Sequence, residues 1–141
     1  MRLRTTVIRR LLFPFVLVAI VVTGRSPRVA AAEPAAISPA AAKEADQIFV
    51  TRCALCHGTK GKGDGAAAAA LNPKPRDYSD PAWQASVTDE QIEKIIVGGG
   101  TAAGKSALMP ANPDLASKPD VVKALRATIR KFGSNNAAPA H

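Results

Sequence analysis

Residues 52–58 read Arg52-Cys53-Ala54-Leu55-Cys56-His57-Gly58, and Cys53 and Cys56 are the only cysteines in the 141-residue chain. Two thiols three positions apart, followed at once by a histidine, form the C-x-x-C-H pattern of covalent haem attachment. The spacing has a chemical reason. At the end of a helix each thiol can add to one of the two haem vinyl groups, and the next residue is then held beneath the ring plane. From there the His57 imidazole reaches the iron through Nε2 as proximal ligand. Other readings of the same residues compete. A Cys53–Cys56 disulfide or a thioredoxin-like pair suits an oxidising compartment, but neither uses the adjacent histidine, and no βαβ pattern surrounds the motif. A zinc site wants a fourth ligand, and the one other histidine is His141 at the end of the chain.

The segment leading into the motif predicts a helix from Pro39 to about Arg52. Ser38 is placed to cap it, and Pro39 falls at the first helical position, where a missing N–H costs nothing. Ala45, Ile48, Phe49 and Arg52 follow helical spacing, with the apolar members on one face. Residues 58–77, rich in Gly, Ala, Lys and Pro, read as loop, with a turn of helix within the five alanines 66–70. Asp80-Pro81 reads as the cap and first turn of a short helix carrying Trp83. Thr88 and Gln91 form a capping box. It opens a helix from about Asp89 to Val97, with Ile92, Ile95 and Ile96 inward and Gly98 as the stop. Residues 98–117 are loop again. A last helix runs from about Pro119 to Phe132, with Val122, Leu125, Ile129 and Phe132 at intervals of three and four. Gly133 is the expected stop. No strand pair and no repeat is visible, so the class is all-α with long loops, the kind of chain that folds around a cofactor.

Toward the N-terminus, residues 1–32 read as a secretory signal peptide. Four arginines lie in the first ten residues, Leu11 to Val22 is apolar except for Pro14, and Ala30-Ala31-Ala32 offers a cleavage site before Glu33. The apolar run of twelve is short of the roughly 20 residues that a membrane span needs. Arg25 and Arg28, between that run and the cleavage site, keep an uncleaved membrane anchor open as the alternative. Arg9-Arg10 sits in a poor twin-arginine context, and a covalent haem protein is expected to cross the membrane unfolded, so the general secretory route to the periplasm is expected. The organisation is then a signal peptide over 1–32, a flexible lead-in over 33–38, a single domain over 39–133, and a disordered tail over 134–141.

Export changes the meaning of the charge. The formal +8 includes six arginines in residues 1–32, whereas residues 33–141 hold 13 basic and 11 acidic side chains. A balance this close to zero gives no footprint for nucleic acid. Aromatic residues are also sparse there: Phe49, Tyr78, Trp83 and Phe132. A small domain with so thin a core needs a staple, and a buried haem would supply one.

The second iron ligand follows by elimination. Met1 leaves with the signal peptide, so Met109 is the one methionine of the mature chain, and His141 ends its tail. Pro110 sets an extended conformation at Met109 that can hold the thioether toward a ring. Against this stands methionine as ordinary apolar filler, although a loop methionine before proline fills a core poorly. One competing motif needs an answer. Gly99 to Ser106 matches G-x-x-x-x-G-K-[ST], the phosphate-binding loop. That loop requires a strand before it and a helix after it; here a capped helix precedes it and Pro110 follows. No nucleotide is expected.

With these residues in place, the chain resembles the class I cytochrome c family over most of residues 39–133. The likeness rests on Ala45 and Phe49 in the first helix, Cys53, Cys56 and His57 at its end, and Gly61-Lys62-Gly63-Asp64-Gly65 after it. Met109 before Pro110 and a closing helix with Leu125 and Ile129 complete it. The resemblance implies an all-α fold wrapped around one haem c, with His57 and Met109 as proximal and distal iron ligands. It also implies that the first and last helices cross near Ala45, Ala124 and Leu125. Family members often carry glycine at the position of Ala45 and an aromatic near Ile129; this chain departs at both. The resemblance further implies a proline carbonyl that accepts from His57 Nδ1. Pro73 and Pro75 are the candidates, and Pro75 is preferred. Trp83 and Tyr78 are open to two readings, contact with the haem or core packing.

The expected function is one-electron transfer without bond chemistry, by a monomer that docks transiently with redox proteins. Lys60, Lys62 and Lys105 are candidates for steering toward an acidic partner, and equally for solubility. A haem enzyme acting on peroxide would need an open iron position, and a subunit of a respiratory complex would keep its N-terminal anchor.

Overall fold

A computed structural model describes residues 36–134. The signal-peptide reading of 1–32, His141 and the rest of the tail beyond Ser134 lie outside those residues. Helix α1, Pro39–Ile48, starts as its sequence dictates: the Ser38 hydroxyl accepts from the Ala41 amide at 3.2 Å, with Pro39 in the first turn. The chain does not leave the helix at Arg52. It passes through a π-helical segment, Phe49–Cys53, into the short helix α2, Ala54–His57. Within that segment the Thr51 hydroxyl donates to the Gln47 carbonyl at 2.8 Å, so a side chain serves an acceptor of the α-helical ladder. A π turn holds an extra residue and so rotates α2 relative to α1.

The glycine-rich stretch after His57 closes this helix. The last carbonyls of a helix have no partner within it. Here the amides of Gly63, Gly65 and Ala67 fold back onto the carbonyls of His57, Cys56 and Leu55 at 2.8, 3.1 and 3.0 Å. A 3-10 turn, Ala68–Ala70, follows. Helix α3, Pro81–Ser86, is capped by Asp80 and carries Trp83. Helix α4, Asp89–Gly98, opens on the Thr88–Gln91 capping box and ends one residue later than its sequence predicts, with Gly99 as cap. Two 3-10 turns, Thr101–Ala103 and Pro113–Ser117, punctuate the loop that carries Met109. Helix α5, Pro119–Ser134, completes the described chain. No strand occurs among the described residues.

Helix α5 buries Val121, Val122, Ala124, Leu125 and Ile129 and packs against α1, α3 and α4. Ala45 is completely buried, at 0 % exposure, in the core that also holds Ala124 and Leu125. A methyl group there lets α1 lie close to α5, as the helix-crossing expectation requires. Ile92 and Ile96 face this core, whereas Ile95 is half-buried.

The end of α5 corrects the sequence reading. Gly133 does not stop the helix, and Ser134 belongs to it rather than to a tail. Gly133 has a packing reason instead: a Cβ there would meet the Gln84 side chain of α3 at 2.6 Å. Gln84 is fixed in that place, since its amide donates to the carbonyls of Tyr78 and Ile129 at 2.7 and 3.0 Å.

Candidate functional site

Helix α2 and the residue before it deliver Cys53, Cys56 and His57 to one cavity, and the loop between α4 and α5 delivers Met109 to the same cavity. Its volume is about 930 Å³, at the upper end of the range of roughly 300–1,000 Å³ for ligand sites. Phe49, Trp83, Ile96, Leu125 and Ile129 are among its apolar walls. Cys53 and Cys56 are free, half-buried thiols, so the disulfide reading does not hold in this structure. Burial pushes the Cys53 thiol up to about 11, against the opposing pull of the Arg52 guanidinium beside it.

His57 is the one buried polar side chain of the described core. Its Nδ1 lies 3.0 Å from the Arg76 carbonyl oxygen. A carbonyl can only accept, so Nδ1 carries the proton and Nε2 presents its lone pair. That lone pair accepts from the Tyr78 hydroxyl at 3.0 Å, and the Tyr78 ring stacks on the imidazole with centroids 4.4 Å apart. Burial lowers the His57 pKa, partly offset by the bond to Arg76. The imidazole is therefore held neutral and oriented, as a metal-binding histidine must be.

The preference for Pro75 as the partner of Nδ1 is thus corrected to Arg76. Residues 74–77 run without helical turns, and in extended chain successive carbonyls point to opposite sides. The Pro75 carbonyl faces the backbone at Gly63, which leaves the next one, at Arg76, for the imidazole. Pro75 and Pro73 still line the cavity. Trp83 lines it too, while Tyr78 does so from deep burial, packed between His57, Trp83 and Phe132. Phe132 stacks obliquely on Phe49 at 5.3 Å. It supplies, three residues on, the aromatic contact that Ile129 does not.

Arg52, Lys74, Arg76 and Lys105 line the cavity, and no carboxylate does. Of the lysines singled out from sequence, Lys105 is there; Lys60 and Lys62 are exposed on the loop after His57 and do not line it. No signal in the sequence marks Lys74 or Arg76, because their approach depends on the path of the loop between Leu71 and Tyr78. Among the described residues no group of three or more His, Cys, Asp or Glu side chains is arranged to hold a metal ion.

The donor set fits a covalent haem. Two thiols, a thioether and an imidazole whose Nε2 lone pair would exchange the Tyr78 hydroxyl for a metal belong to one cavity, with largely apolar walls and a cationic lining that suits a dianionic porphyrin. A family model of cytochrome c matches residues 42–128. The chain belongs to the cytochrome c family, whose members bind haem c covalently and transfer electrons. None of the curated proteins compared with the chain matches it.

Proposed function

We propose that this protein is an exported one-electron carrier in which His57 and Met109 would hold the iron of a single haem c. The observation that carries the reading is that His57 and the only methionine of the described residues line the same cavity as both cysteines. The haem supplies the one-electron couple. The chain's own residues do the rest. The Arg76 carbonyl takes the Nδ1 proton of His57 in a hydrogen bond, which fixes the ring and strengthens Nε2 as a donor. The Met109 thioether, soft and weakly basic, favours the reduced iron. The apolar walls exclude water, so little rearranges between the two oxidation states. With His57 and Met109 both committed to the iron, the chain would leave no position for a substrate, and the bound group would supply one-electron exchange with a transiently docked partner.

Export is supported by the arginine-rich start, the apolar run and the small residues before Glu33. No helix among the described residues is long and apolar enough to cross a membrane. The protein purified from the periplasm of its host tests both parts. Its N-terminus is expected at Glu33, and the oxidised form is expected to show the thioether-to-iron charge-transfer band, which Met109→Ala abolishes. Ready binding of carbon monoxide by the reduced wild-type protein would mean an open iron position and would favour an enzyme instead. A chain retaining residues 1–32 would favour the anchored form.

A further inference from the structure

The segment that carries Met109 is tied to the rest of the protein in two places. On one side it hangs from the end of α4. The Gly100 amide donates to the Met109 carbonyl at 3.0 Å, the Asn112 amide to Val97 at 2.8 Å, and the Asn112 side-chain amide to Ile96 at 2.8 Å. On the other side it reaches the haem-attachment helix. Arg52, the residue before Cys53, places Nη1 at 3.0 and 2.9 Å from the two carboxylate oxygens of Asp114 and at 3.5 Å from Oδ1 of Asn112. Among the described residues this is the one ion pair that joins the segment bearing the two cysteines and His57 to the segment bearing Met109.

We propose that Arg52, Asn112 and Asp114 form a clasp that holds the Met109 segment closed over the haem-attachment helix. The strength of the clasp sets how often Met109 swings off and yields its position to an external ligand. The inference rests on the reading of Met109 as distal ligand. An external ligand reaches the iron only when the segment opens, so its rate of binding follows the population of the open form. The link is modest. Both side chains are about half exposed, 44 % and 49 %. Solvent therefore screens the pair, and its removal changes the open population by roughly two- to five-fold. Asn112, half-buried and bonded to α4, fixes where Asp114 stands. The clasp thus acts by positioning and touches no reacting atom.

The test is ligand replacement in the oxidised, haem-loaded full chain, with imidazole as the entering ligand and loss of the thioether-to-iron band as the signal. Asp114→Asn, whose side chain lies outside the cavity lining, is expected to speed replacement about two- to five-fold. Arg52→Gln, which also removes a charge from the cavity lining, is expected to speed replacement at least as much. High salt should accelerate the wild type toward the Asp114→Asn rate and leave that variant unchanged. Glu44→Gln is the control. It breaks the Glu44–Lys118 pair, of similar exposure and 2.7 Å long, which joins α1, away from the attachment motif, to the residue just before α5. It should leave the replacement rate where it was. Equal rates in the wild type and Asp114→Asn, with the band present in both, would overturn the clasp and leave Met109 as ligand. Equal acceleration by Glu44→Gln would also overturn it, by showing mere loss of stability. A wild-type protein without the band would remove Met109 as ligand and the clasp with it.

Discussion

Gly61 carries two constraints that can be separated. Its φ of +69° is left-handed, a region that side-chain-bearing residues rarely adopt, and a Cβ there would sit 2.7 Å from the Phe132 ring. The same residue accepts the Tyr78 amide through its carbonyl at 2.7 Å, so the loop after His57, the stacked tyrosine and the end of α5 meet at one backbone position. Gly104 has nearly the same φ, +65°, but open space where its Cβ would point. The pair makes a controlled comparison. Gly104→Ala meets no protein neighbour and carries the backbone strain, roughly 1 kcal/mol. Gly61→Ala adds displacement of a packed ring and is expected to cost roughly 2–4 kcal/mol. Chemical denaturation of the haem-loaded proteins reads both; equal midpoints for the two variants would show that Phe132 moves freely away.

At the scale of elements, Arg130 joins three helices. From α5 its guanidinium donates to the Gln84 carbonyl and side chain and to the Val87 carbonyl, at the end of α3, and to Asp89 in the first turn of α4, each at 2.8 Å. Arg126, one turn earlier, pairs with Asp89 and Glu93 at 2.9 and 3.2 Å. A planar group with five donors spread over three nitrogens can reach acceptors on several elements at once; an ammonium concentrates three donors on one atom and spans less. Arg130→Ala is therefore expected to destabilise the fold by roughly 1.5–3 kcal/mol, and Arg130→Lys to recover less than half of that, by thermal unfolding of the loaded protein. Full recovery with lysine would reduce the role to charge alone. Contacts of this kind mark where the sequence stops being legible. The starts of α1, α3 and α4 could be read directly, because Ser38, Asp80-Pro81 and Thr88–Gln91 act within one turn. Met109 could be found by counting, and the cysteines and His57 by their spacing. Gly133 read as a helix stop because its partner, Gln84, lies far back along the chain, on α3. The acceptor for His57 was placed one residue early, at Pro75, because the direction of a carbonyl depends on the register of a loop that no local signal sets.

The whole molecule has a core and a cavity that share their walls. Phe49, Ile96, Leu125 and Ile129 belong to the apolar cluster and also line the site. Interiors of folded proteins are close-packed, with few voids larger than a water molecule, so a cavity of about 930 Å³ beside so few large side chains has to be part of how the chain is filled. Water cannot substitute, since most of the walls offer it no hydrogen bond. The haem should therefore act as the missing centre of the core as well as the redox group. A chain with Cys53→Ala and Cys56→Ala, prepared free of haem, is expected to lose most of its far-UV helical signal and its sharp thermal transition, while the loaded wild type keeps both. Helix α5 is the element to watch. Its buried stripe faces α1 on one side and the cavity on the other, so hydrogen exchange in Leu125 and Ile129 should rise to that of an unfolded chain when the haem is absent. A haem-free chain that melts cooperatively, with α5 still protected, would show that the helices close on one another without the cofactor.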